Sequence, residues 1–144
     1  MVEERRPVTR FEDLLVWQRA RELTAAVYRC TREEVFARDT GLASQLQRAA
    51  VSVMANIAEG FERRGPAEFA RYLDIARASN AEVASHLYVA LDVGYLSRST
   101  FDELMEATRQ LGAMLSRFTA SVRRNAIMRP TPLGTGNGAP GGEG

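Results

Sequence analysis

The chain has 144 residues, enough for one domain and too few for two comfortable ones. It is 45% hydrophobic and 26% charged with a formal net charge of +1, a globular composition that makes no global case for nucleic-acid binding; any such case must rest on local charge. A single cysteine, Cys30, excludes an internal disulfide and a cysteine zinc cluster.

All nineteen basic residues are arginine. Arginine suits bidentate contacts with carboxylate and phosphate, although genomic base composition is the simpler cause. The N-terminus is charged and no h-region follows, so no signal peptide is expected. No apolar run approaches the roughly 18 residues of a membrane span. The expected protein is cytoplasmic, with no membrane partner.

Residues 1–10 are polar and read as a loose arm. Asp13 is the expected N-cap of a first helix running to about Arg32, with an apolar stripe of Val16, Ala20, Leu23, Val27 and Cys30. Trp17 beside it reads as a core anchor, and Cys30 as a small buried hydrophobe. Residues 33–40 form a charged connection, with Asp39 or Thr40 placed to cap the next helix.

The second helix, Leu42 to Arg64, is the segment around which the others are expected to pack. Leu42, Leu46, Ala49, Val53 and Ile57 recur at spacings of three and four, one face of a 3.6-residue period; Ala50, Met54 and Phe61 widen it. A second stripe is polar: Gln45, Arg48, Ser52, Asn56, Glu59 and Arg63. It reads either as a solvated face or as a seam partly under another helix. Glu59 lies near a helix C-terminus, where negative charge is disfavoured, so a cationic partner is expected, either Arg63 four residues on or an arginine elsewhere.

Gly65-Pro66 marks the next break, because proline is tolerated only in a first helical turn. Helix three carries Phe69, Leu73, Ala76, Asn80, Val83, Leu87 and Ala90 on its core stripe. Asn80 is its one polar member, and a lone buried asparagine can set the register of packed helices. Gly94 suits a C′ position. Ser99 with Asp102, or Thr100 with Glu103, offers a capping box for helix four. Phe101, Leu104, Thr108, Leu111, Leu115, Phe118 and Val122 continue the spacing to its end. Residues 126–144 are rich in Gly and Pro and read as a disordered tail.

No alternating apolar run or hairpin dipeptide signals a strand. Four amphipathic helices with short connections predict an all-α fold, an up-down-up-down antiparallel four-helix bundle over residues 11–125.

The chemistry of an enzyme is missing. His86 is the only histidine, so a histidine metal site, a Glu-x-x-His di-iron site or a conventional triad is unavailable. The nearest preceding arginine, Arg77, is too far from His86 for the arginine–histidine motif of small helical ribonucleases. There is no phosphate-binding glycine loop. The reading is non-enzymatic, with no catalytic residue, metal or cofactor.

Charge is distributed unevenly along such a bundle. One end would carry ten arginines against seven carboxylates, a balance of +3, and the other four against seven, or −3. The basic end includes Arg63, Arg64, Arg71, Arg117, Arg123 and Arg124, the expected nucleic-acid-binding residues. Subunits assembled with ends aligned would multiply the asymmetry into a basic mouth able to hold a phosphate backbone by counterion release. The competing reading is a protein-interaction scaffold with no nucleic-acid role.

The segments FEDLLVWQRA (11–20), GLASQLQRAAVSVMANIAEGFERR (41–64), EFARYLDIARASNAEV (68–83) and VGYLS (93–97) carry a resemblance. Over about residues 11–122 the chain resembles the four-helix bundle family of proteins encoded in intervening sequences of large-subunit ribosomal RNA genes, related to the accessory variability determinant of diversity-generating retroelements. The family's motif positions fall on Arg48, Ser52, Asn56, Glu59, Gly60, Ser79 and Glu82. Ala78 stands where the family often has glycine. The resemblance implies a homo-oligomer, typically a pentamer; for the retroelement relatives it implies binding to a reverse transcriptase and to RNA or DNA. Polar motif residues on facing helices lead to the expectation that Arg48 pairs with Glu82.

Overall fold

The computed structural model describes residues 7–128, and among them every regular element is helical. After a 3-10 turn at Phe11–Asp13 come α1 (Leu15–Thr31), α2 (Glu34–Arg38), α3 (Thr40–Glu62), α4 (Pro66–Asp92) and α5 (Arg98–Met128). The first residues of the expected arm, 1–6, and residues 129–144 of the expected tail lie outside the described residues.

α3 packs against both α1 and α4, and α5 packs against α4 and α1, so each long helix has two long neighbours. The apolar stripes drive this packing. Leu46, Val53 and Ile57 of α3, Leu73, Val83 and Leu87 of α4, Leu115 of α5 and Val27 of α1 are fully buried. The expected stripe of α1, Val16 through Cys30, is buried throughout. Leu42, Phe69 and Phe118, the outlying members of their stripes, are half-buried.

Turn chemistry sets where the helices begin and end. Asp39 Oδ1 accepts the Leu42 N–H at 3.0 Å and caps α3. Gly65, at φ +89°, turns the chain so that Pro66 opens α4. At the far end of α4, Tyr95 N–H bonds Ala90 C=O and Gly94 N–H bonds Leu91 C=O. These are the paired bonds of a Schellman motif, and Gly94 supplies its left-handed residue at φ +84°.

Several expectations are corrected. Asp13 does not cap α1: residues 11–13 turn, and Leu14 stays extended because its side chain is drawn into the core. The 33–40 connection contains α2, a single turn and a half that buries Phe36 completely; so short a helix leaves no periodic trace. Ser97, not Ser99 or Thr100, caps α5 by accepting the Thr100 N–H at 3.1 Å. α5 runs through Met128, past the expected boundary at 125. Trp17 packs against the core as expected, but half-buried at its margin, edge-on to Phe11 with the Arg21 guanidinium over its ring.

Asn80 is buried at 6% exposure. Its Nδ2 donates to Thr108 C=O of α5 at 2.9 Å, which ties α4 to α5 in one register. Its Oδ1 has no partner among the described residues, the cost such a register pin carries.

Candidate functional site

The motif residues converge on the seam between α3 and α4. Around the Gly65 turn these helices run back along each other, so residues about equally far from the turn meet. Ser52 Oγ and Ser79 Oγ lie 2.7 Å apart. Asn56 Nδ2 donates to Ser52 C=O at 2.8 Å and to Ser52 Oγ at 3.0 Å. Small hydroxyls let the helices close here while satisfying one another, which a buried polar group requires.

Gly60 belongs to the same seam. A Cβ at this position would lie 2.6 Å from Tyr72 Cβ and 3.0 Å from Phe69 Cδ1. No side chain fits without separating α3 from α4, so glycine is required by close approach.

Above the two serines the seam opens into a shallow groove of about 610 Å³ that includes Gln45, Arg48, Glu82 and His86. Arg48 and Glu82 share this groove but form no ion pair, which corrects the expected pairing. Both side chains are exposed. Glu59 takes the local alternative: Arg63 Nη2 meets Glu59 Oε1 at 2.9 Å.

The six arginines expected to bind nucleic acid divide into two groups. Arg63 pairs with Glu59, Arg71 with Glu68 and Arg123 with Asp74. Arg63 and Arg71 also stand over the Tyr72 ring, at 5.1 and 4.8 Å from its centre. Hydrogen bonding to its carboxylate raises the pKa of each of these three guanidinium groups. Hydrogen bonds from Arg123 hold the Asp74 carboxyl below the usual carboxylate range; burial opposes this, and Arg77 adds to it. Arg64, Arg117 and Arg124 are exposed and enter no ion pair among the described residues.

The end of α3, the start of α4 and the later part of α5 meet beside these arginines. Val8, Leu14, Phe61, Phe69 and Phe118 line one cleft beside Arg63. At the other end Glu33 and Glu34 lie beside Tyr95 and Ser97. There Tyr95 Oη donates to Asp39 Oδ2 at 3.0 Å, and that bond raises the phenol pKa.

Sequence reading missed Tyr72, the phenylalanine cluster and the Asp39–Tyr95 tie. The phenylalanine cluster had a signal: Phe61 and Phe69 are equidistant from Gly65, as antiparallel partners are. The tie spans 56 residues and had none. No group of three or more His, Cys, Asp or Glu side chains could hold a metal among the described residues. Burial pushes the Cys30 thiol up to about 11, which leaves it protonated and unreactive at neutral pH. No helix among the described residues is long and apolar enough to cross a membrane.

A helical protein with a hydroxyl-lined seam between two long helices, and arginines gathered at one end, is the class this geometry defines. The chain belongs to the 23S rRNA-intervening sequence protein family, whose model matches residues 12–117. Its fold is similar to that of a protein of unknown function from the S23 ribosomal protein family of Bacteroides thetaiotaomicron, with a TM-score of 0.68 at 19% identity, covering 73% of this chain and 98% of that one. No curated protein matches the chain.

Proposed function

We propose that the chain is a non-enzymatic, homo-oligomeric nucleic-acid-binding accessory protein, of the type that partners a reverse transcriptase in diversity-generating retroelements. In this reading the four long helices form an up-down-up-down antiparallel bundle, and copies assemble with their arginine-bearing ends aligned. The observation that carries it is the trio Arg64, Arg117 and Arg124, exposed and without a carboxylate partner among the described residues. Guanidinium groups in that state are free to take phosphates, releasing counterions as they do so.

The test is titration of RNA and DNA across a salt series with wild type and the Arg64→Glu/Arg117→Glu/Arg124→Glu variant. Wild type should bind with an affinity that falls steeply with salt, each phosphate contact contributing about 0.7–0.9 to the log–log slope. The triple variant should not bind. Unchanged binding by the variant removes the proposed site. Light scattering on the same sample gives the subunit number, with five expected.

The scaffold reading keeps one observation of its own. Val51 and Ile75, each 39% exposed, and Val89, 44% exposed, stand on the outer faces of α3 and α4. Together with the unpaired Arg48 and Glu82 they suit a protein partner. Normal assembly with no nucleic-acid binding at low salt favours that reading.

A further inference from the structure

We infer that the cleft at the arginine-bearing end is a binding site for an unstacked base of single-stranded nucleic acid. This rests on the nucleic-acid reading above and narrows it from a charged surface to a strand type and a pocket.

The cleft encloses about 560 Å³, within the roughly 300–1,000 Å³ range of small-ligand sites. Its apolar wall is built from three helices: Phe61 at the end of α3, Phe69 in the first turn of α4 and Phe118 on α5. All three rings are half-buried. Their centroids lie 6.0 Å apart for Phe61 and Phe69 and 5.6 Å for Phe69 and Phe118, each pair edge-on. Among the described residues, the polar side chains in the lining are Arg63, paired with Glu59, and the exposed amide of Asn125.

The cleft shares Leu14 and Phe118 with an adjoining hollow whose rim carries Arg117. The aromatic wall therefore has one guanidinium group in its own lining, Arg63, and a second, Arg117, in the hollow next to it.

Each feature matches one part of a nucleotide in a single strand. Phenylalanine rings take the apolar faces of any base, which is why such platforms tolerate sequence. An asparagine amide offers both a donor and an acceptor to a base edge. Arg117 takes a neighbouring phosphate, and Arg63 takes another by exchanging its exposed Glu59 partner for it. A duplex keeps its bases stacked and cannot fill the cleft, whereas a single strand can splay one out.

The test uses the full chain with a 12-nucleotide single strand carrying 2-aminopurine, the same strand in a duplex, and the variants Phe118→Leu and Asn125→Ala. Leucine keeps an apolar side chain of similar bulk while removing the aromatic face. Asn125 is exposed, so its loss leaves the fold intact should Phe118→Leu disturb it. The expected result is quenched 2-aminopurine emission on binding and about a tenfold loss of single-strand affinity in Phe118→Leu. Duplex affinity should stay unchanged, and Asn125→Ala should lose preference among bases. Wild type binding single strand and duplex alike, or unquenched binding unaffected by either variant, overturns the base site while leaving the charged surface standing. Absence of any binding by wild type at low salt removes the nucleic-acid reading itself.

Discussion

Replacing Gly60 with alanine isolates the contact that holds α3 against α4. Two effects oppose each other. Alanine is favoured over glycine inside a helix by about 1 kcal/mol. Against this, the new methyl would sit 2.6 Å from Tyr72 Cβ, 3.0 Å from Phe69 Cδ1 and 3.3 Å from Phe69 C=O. Tyr72 Cβ is attached directly to the α4 backbone, so no rotamer change relieves the overlap and the helices must part. Overpacking of this kind costs about 1–3 kcal/mol, and parting the helices also loosens the seam formed by Ser52 and Ser79. We expect a net loss of about 1–2 kcal/mol, or roughly 3–10 °C in Tm. Gly41→Ala is the matched control: its Cβ would meet only Asp39 Oδ1, at an ordinary 3.6 Å. It should leave stability unchanged or raise it by up to about 1 kcal/mol. Urea unfolding followed by circular dichroism, at one fixed subunit concentration, reads both. Gly60→Ala as stable as wild type would refute the close-approach account.

Two further outcomes follow from single side chains. Asp39→Ala removes the α3 cap and the acceptor of Tyr95 Oη together, and should cost about 1–2 kcal/mol in the same assay; Tyr95→Phe should cost only a part of that, and an equal loss would mean that the cap contributes nothing. Asp74 has a folded-state pKa below its unfolded value, so its contribution is present above the ordinary carboxylate pKa of about 3.9 and is lost as pH falls through the depressed value. Asp74→Asn should therefore flatten the acid limb of the stability–pH curve below about pH 4, and the effect should be small because the side chain is 41% exposed. A variant curve parallel to wild type through that range would show that the Arg123 pair does not act on stability.

Much of this protein is local, and what is local is legible in the amino-acid sequence. The stripes of α1, α3, α4 and α5 repeat every three to four residues because each helix buries one face, so Val16 to Cys30 and Leu73 to Ala90 are found before any packing is known. Asp39, Gly65-Pro66 and Gly94 mark helix ends because their backbone chemistry acts within four residues. The motif positions Ser52, Asn56, Gly60 and Ser79 were likewise visible as a set, though what they do was not.

Tertiary structure alone decided which polar groups meet. Arg48 and Glu82 stand on facing helices and stay apart, while Ser52 and Ser79 on the same two helices join. Phe36 enters the core from a helix too short to show a period. Three of the six arginines at the basic end are matched by carboxylates, and one of these, Asp74, lies 49 residues from its partner Arg123. Periodicity reports which face of a helix is apolar. It carries no information on which side chain of a neighbouring helix stands opposite, because that depends on rotations and offsets set when all the faces pack at once.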